Sequence, residues 1–101
     1  MITGAQYKFK SKVWRYPGMA GWYFISLPQK ESKQIKSTFS DLKRGWGSLR
    51  VKVTIGSITW KTSIFPDSKS GTYLLPIKAE VRKKENLTEN TTVRCLIEIL
   101  V

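Results

Sequence analysis

The chain has 101 residues, a length that suits one domain. Hydrophobic residues make up 41% of it and charged residues 25%, which is enough apolar side chain for a packed core and argues against an intrinsically disordered protein. The net charge is +11, there is one cysteine and there is no histidine, so an internal disulfide and any Ser–His or Cys–His nucleophile are excluded.

Alternation of apolar and polar residues predicts that most of the chain is β-strand. Gly56-Ser57 separates two alternating segments, and a glycine followed by one residue predicts a two-residue hairpin with a type II′ turn. Pro66 is expected to end the second of those strands. The six predicted strands cover, in chain order, residues 7–14, 22–27, 49–55, 58–64, 72–75 and 93–101.

Two segments lack this alternation and are predicted to be short helices. In the first, which begins at Pro28, Ile35, Phe39 and Leu42 fall on one face at helical spacing. The second covers residues 77–85, and Asn86 is a suitable left-handed residue to end it. Six short strands and two short helices predict an all-β fold, a small closed or partly open β-barrel, because closure removes exposed sheet edges. The whole chain, residues 1–101, is expected to form this single domain.

Lysine and arginine are concentrated in the first three fifths of the chain. Lys8, Lys10 and Lys12 form one strand face, as do Arg50 and Lys52. If the two strands adjoin, they make a basic stripe next to Trp14, and such a stripe beside an aromatic ring is typical of a nucleic-acid-binding surface. The alternative is a solvent-exposed barrel exterior whose lysines protect edge strands.

The lone cysteine and the lack of a signal segment or of a long apolar run indicate a cytoplasmic, bacterial-type protein with no membrane association. It is expected to be a monomer or a homodimer.

Several stretches, spread in order over nearly the whole chain, resemble the family called domain of unknown function 1905. This resemblance implies a small β-barrel without an established activity, found alone or joined to a bacteriocin-protection-like domain. The segment from Leu75 to Arg82 also resembles the AbrB/MazE-like half-barrel, and many of those half-barrels bind DNA as dimers. The stretches are Trp14-Arg15-Tyr16-Pro17-Gly18, Trp22-Tyr23-Phe24, Gly45-Trp46-Gly47-Ser48, residues 59–66 and residues 71–83.

No residue pattern in the chain points to catalysis. Asp41 and Asp67 lie in polar loop contexts, where aspartate normally forms turn hydrogen bonds. Cys95 is in the middle of a predicted strand on its apolar face, so it is expected to be a core residue and not a nucleophile. Neither a metal-ligand cluster nor a phosphate-binding glycine loop is present. The chain is therefore predicted not to be an enzyme and to need no cofactor or metal.

A candidate ligand site remains. Lys78 and Arg82 are four residues apart on the predicted second helix, and Lys78 falls in its first turn, where a cation is unfavourable. We therefore predict that the two hold an anion, either a ligand's carboxylate or phosphate or a buried carboxylate of the protein. The family resemblance puts Ser63 and Trp46 nearby, Trp46 being either a lid over the barrel end or a ring facing the ligand, whereas Trp60 is expected in the core. The predicted function is a non-catalytic binding module for a small anionic or planar ligand or a protein partner; the alternative is a nucleic-acid-binding barrel.

Overall fold

The computed structural model describes residues 5–18, 21–39 and 47–100. Within these residues the chain forms strands and helices in the order β-β-α-β-β-β-α-β. The elements are β1 (Gln6–Arg15), β2 (Tyr23–Ser26), α1 (Gln29–Thr38), β3 (Leu49–Ile55), β4 (Ile58–Asp67), β5 (Thr72–Pro76), α2 (Ala79–Lys84) and β6 (Thr92–Ile99).

The strands close into a barrel in the order β1-β2-β5-β4-β3-β6, with β6 returning to β1. Every neighbouring pair is antiparallel. The predicted barrel with two short helices is therefore confirmed, and its closure leaves no strand of the ring without two neighbours.

Strand alternation sends one set of side chains into the barrel and the other to solvent. The interior set is apolar and branched, so it fills the barrel without burying polar atoms that lack partners. Each such side chain contributes about 1.5–3 kcal/mol through its removal from water. The fully buried members contributed by the strands are Val13, Ile25, Leu49, Val51, Val53, Ile64, Leu75, Ile97 and Ile99.

Helix α1 covers one end of the barrel. Its apolar face carries Ile35, which is fully buried, and Phe39 follows as the C-cap. The buried Ser32 hydroxyl ties the helix to β5, because it accepts a hydrogen bond from the Tyr73 backbone N–H at 3.1 Å. The helix ends at Thr38, before the predicted Leu42, which lies outside the described residues.

Helix α2 covers the opposite end and is attached to the β3–β4 hairpin. The Glu85 carboxylate at its C-cap accepts hydrogen bonds from the Ser57 backbone N–H at 3.3 Å and the Ser57 hydroxyl at 3.0 Å. Asn86 follows with φ of 56°, as predicted for a left-handed cap. Neither helix of the described residues is long and apolar enough to cross a membrane.

The hairpin turn is confirmed, but the predicted end of β4 is wrong. Gly56 has φ of 58° and Ser57 is not in the left-handed region, as a type II′ turn requires. β4 continues through Pro66, which pairs with Tyr73 of β5. Proline is tolerated here because its backbone nitrogen faces the β3 side, and β3 has already ended at Leu49, opposite Ile64.

Candidate functional site

The barrel wall opens into a cleft where β4 and β5 stop pairing. Their pairing runs from Asp67↔Thr72 to Phe65↔Leu74 and no further. Beyond that point residues 60–62 and 76–78 line a cleft of about 240 Å³, together with residues 21–24. Pro76 favours the opening because its nitrogen faces β4 and has no hydrogen to donate.

The backbone of β4 also contributes to this cleft. Residues that flank a two-residue turn are hydrogen-bonded to each other, so Ile58 and every second residue after it bond to β3. Lys61 lies between two such residues, Trp60 and Thr62. Its backbone N–H and C=O therefore point away from β3 and toward the cleft, which gives the cleft a main-chain donor.

Aromatic rings and two lysines line the cleft, and none of its lining residues is acidic. Trp22 is 51% exposed, whereas Trp60 is half-buried and packs against the core. Lys61 and Lys78 are exposed, and neither forms a salt bridge with any described residue. Accessible indole rings bind flat groups, and ammonium groups without a carboxylate partner bind anions.

Lys78 lines this cleft, but the helical position predicted for it is wrong. It is the N-cap of α2, with φ of −74° and ψ of 159°, and the helix begins only at Ala79. The chain is therefore still extended at Lys78, which lies shortly after the end of β5. The unfavourable placement of a cation within the first turn does not arise, and the position of Lys78 at the cleft is what distinguishes it.

Arg82 packs against the back of the cleft wall and does not line the cleft. Its guanidinium carbon lies 3.9 Å from the centroid of the Tyr23 ring, a cation–π arrangement. Its Nε also donates a hydrogen bond to the Ile77 carbonyl at 3.4 Å. Arg82 thus fixes α2 onto β2, and the structure does not bring it together with Lys78 in one open site.

Of the other two predicted ligand residues, the structure describes Ser63, which does not line the cleft. Ser63 is on the outer face of β4, where its hydroxyl accepts a hydrogen bond from Arg50 Nη1 at 3.3 Å. Trp46 lies outside the described residues. Sequence reasoning missed Trp22 and Lys61 as lining residues and assigned Trp60 to packing alone. An adjacent tryptophan and lysine, Trp60-Lys61, was the available signal for a ligand site. It indicates such a site only once it is known that β4 and β5 separate there.

The basic residues predicted for nucleic acid lie on one outer barrel face, although their strands do not adjoin. β6 lies between β1 and β3. It places Arg94 directly opposite Lys10, and Glu98 opposite Lys52, with which it forms a salt bridge of 3.8 Å. We call this outer face of β1, β6, β3 and β4 the basic face; its cations are Lys8, Lys10, Lys12, Arg50, Lys52, Lys61 and Arg94.

The remaining titratable candidates have structural roles. Cys95 is buried in the core, as predicted, and burial raises the pKa of its thiol to about 12, so it is not a thiolate near neutral pH. Asp67 accepts a hydrogen bond from the Ser70 hydroxyl at 2.7 Å, the turn contact expected of it. Asp41 lies outside the described residues. Among the described residues no three side chains of the metal-binding types form a cluster.

Comparison with known protein families identifies one that covers nearly the whole chain. A family model described as Domain of unknown function (DUF1905) matches residues 9–97, nearly the whole chain. The match includes every residue that lines the cleft. No match was found among curated proteins. The resemblance seen in the sequence is thus confirmed by the family model, and the chain belongs to the DUF1905 family.

Proposed function

We propose that this protein is a non-catalytic binding module whose cleft takes a small ligand that combines a flat ring with an anionic group. One observation carries the proposal: the exposed lysines Lys61 and Lys78 line the same cleft as Trp22 and Trp60. A ring between or against the indoles gains contact area, while the anion is held by the ammonium groups and the backbone N–H of Lys61.

The size of the cleft limits the ligand. A cleft of about 240 Å³ is smaller than the roughly 300–1,000 Å³ that drug-sized ligands occupy. It suits one ring with one charged substituent, or an aromatic or acidic side chain presented by a protein partner. At about −0.3 kcal/mol for each non-hydrogen atom, a ligand of about eleven such atoms would bind with a dissociation constant of a few millimolar.

Binding without catalysis is proposed because of what the lining residues offer. The described walls present rings, two ammonium groups and the hydroxyls of Tyr23 and Thr62, with no carboxylate among them. General acid–base chemistry most often uses a histidine or a carboxylate side chain, and neither lines this cleft. The chain has one cysteine and so no internal disulfide, which supports a cytoplasmic location.

Titration with phenyl phosphate tests the proposal, with inorganic phosphate and phenol as the separate halves of the probe. Since Trp22 and Trp60 line the cleft, we expect phenyl phosphate to change the tryptophan fluorescence and to bind more tightly than either half. Lys78→Met should weaken phenyl phosphate by about tenfold, the value of a charge-assisted hydrogen bond. Lys83→Met, which removes an exposed lysine outside the cleft, is the matched control and should bind normally. Equal affinities for the two variants would refute the proposed site.

A second candidate function is nucleic acid binding on the basic face. The observation that favours it is the presence of like charges directly opposite each other, Lys10 with Arg94 and Lys52 with Lys61. Like charges directly opposite each other destabilise a sheet. Glu98 lies beside Lys52 and offsets the second pair, so stability leaves the Lys10–Arg94 pair unaccounted for. A polyanion laid across β1 and β6 would neutralise the Lys10–Arg94 pair, and one that continues over β3 to β4 would reach both pairs.

The salt dependence of binding tests this second candidate. The logarithm of the association constant should fall linearly with the logarithm of salt concentration, because each phosphate contact releases counterions. Replacing Lys8, Lys10 and Lys12 together by glutamine should reduce that slope by about 2–3. An unchanged slope would remove β1 from any nucleic-acid surface.

A further inference from the structure

Four aromatic rings pack together on the outside of the barrel, at the end of β1 and the start of β2. Phe24 is the centre of the group, with ring centroids 5.3 Å from Trp14, 6.0 Å from Tyr16 and 6.1 Å from Trp22. We call these four residues the ring platform. Phe24 is buried but does not belong to the core cluster of the barrel, so the platform is a small hydrophobic cluster outside that core.

The platform leaves aromatic surface open to solvent in a fixed geometry. Trp22 is 51% exposed and Tyr16 is 42% exposed. The rings are tilted by 34° to 68° to one another, so they do not stack on each other face to face. The indole of Trp14 is held by a hydrogen bond from its Nε1 to the Ser26 hydroxyl at 3.0 Å. Large exposed rings held in place are a feature of binding surfaces.

The basic face leads directly to the platform along one strand. Lys10, Lys12 and Trp14 are alternate residues of β1 and project from the same side, at about 6.8 Å for each two residues. No residue of the platform or of β1 is acidic. The cations on this side of β1 are therefore followed directly by the rings of the platform.

We infer that the ring platform stacks the bases of a single-stranded nucleic acid whose phosphates lie on the basic face. This inference rests on the second candidate function above and adds to it the kind of nucleic acid. Proteins that bind single strands without sequence preference combine a cationic track with aromatic rings, because every base has a flat face to stack. In a duplex the base faces are covered by their neighbours, so the platform adds affinity only for single strands.

Fluorescence anisotropy with a labelled 12-nucleotide oligothymidine and a labelled 12-base-pair duplex tests this inference. Tyr16 is the residue to change, because it belongs to the platform and does not line the cleft. Tyr16→Ser should weaken the oligothymidine by about fivefold or more and leave the duplex unchanged. Phe65→Ser is the matched control, since Phe65 is equally exposed at 42% but lies near the end of β4, two strands from β2 and past Lys61, the cation that β4 contributes to the basic face. It should leave both affinities unchanged.

Two further variants separate the inference from the function on which it rests. Tyr16→Phe keeps the ring and should keep the affinity for the oligothymidine, so a loss for Tyr16→Ser alone is assigned to stacking. Lys10→Gln with Lys12→Gln should weaken both nucleic acids. If that double variant weakens both but Tyr16→Ser changes neither, the basic face stands and the ring platform is refuted. If the unmodified protein binds neither nucleic acid at low salt, both proposals fail, and the platform is then a protein-docking surface or a packing cluster.

Discussion

Replacing Gly56 by alanine tests the attachment of α2 to the β3–β4 hairpin, on which the position of Lys78 depends. Gly56 has φ of +58°, and a Cβ at this position would collide with the Glu85 carboxylate. The left-handed conformation costs about 1–2 kcal/mol for a residue with a side chain. Displacing Glu85 also removes its hydrogen bonds from Ser57, which at an exposed site adds about 1 kcal/mol. The expected loss in free energy of unfolding is therefore about 2–3 kcal/mol.

Gly71→Ala is the control for the backbone contribution. Gly71 has φ of +72°, and a Cβ there would meet nothing within 4 Å. It should lose only the conformational part, about 1–2 kcal/mol. Urea unfolding followed by tryptophan fluorescence measures both variants. Gly56→Ala should lower the free energy of unfolding more than Gly71→Ala does; an equal loss would show that the attachment contributes no stability. The same conclusion would follow if removal of Glu85 lowered the free energy of unfolding as much in the Gly56→Ala variant as in the unmodified protein.

Three further changes have defined outcomes. Ser32→Ala should cost about 1–3 kcal/mol in urea unfolding, because it leaves the buried Tyr73 N–H without an acceptor, and a loss below about 0.5 kcal/mol would contradict that role. Cys95 keeps its proton in the native state up to a pKa of about 12, whereas the unfolded thiol loses it near pH 9. Stability should therefore fall as pH rises between these values, by up to about 1.4 kcal/mol per pH unit from this group, and Cys95→Ala should remove that component when the two pH profiles are compared. Arg82→Gln removes the cation over the Tyr23 ring and should lower the free energy of unfolding by about 0.5–1 kcal/mol; an unchanged urea midpoint would show that Arg82 does not fix α2.

The barrel could be predicted because local signals and tertiary packing agree in its strands. Leu49, Val51 and Val53 alternate with cations, and the structure buries that side of β3 and exposes the other. Gly56 marks the hairpin, and Asn86 ends α2 with the positive φ expected of it. In each case the residue type that the local sequence pattern calls for is also the one that the folded backbone needs at that position.

The cleft could be predicted only in part, because it depends on where two strands separate. Lys78 was identified as a cation without a structural role, and it does line the cleft. Its partners come from β2 and β4, which are distant in sequence, and no local pattern indicates that β4 and β5 stop pairing at Phe65 and Leu74. Arg82 was paired with Lys78 by helical spacing, but α2 begins after Lys78, and Tyr23 provides the contact for Arg82.

For the basic face, alternation predicted which cations share a strand face but could not predict whether those strand faces meet. Alternation showed that Lys8, Lys10 and Lys12 share a face, and that Arg50 and Lys52 share another. The order of strands around the barrel then decides whether the two faces meet. β6 is last in the chain but lies between β1 and β3, so its Arg94 joins the two groups into one surface.

The central claim is that the cleft between β4 and β5 is the ligand site, and mapping of chemical shifts tests it most directly. The measurement is a series of ¹⁵N–¹H correlation spectra of the whole protein as phenyl phosphate is added. We expect the largest shifts at the indole N–H groups of Trp22 and Trp60 and at the backbone amides of Lys61 and Lys78, with one saturable curve for all four. Shifts confined to Lys10, Lys12 and the other residues of the basic face, or spread evenly over the surface without saturation, would contradict the claim.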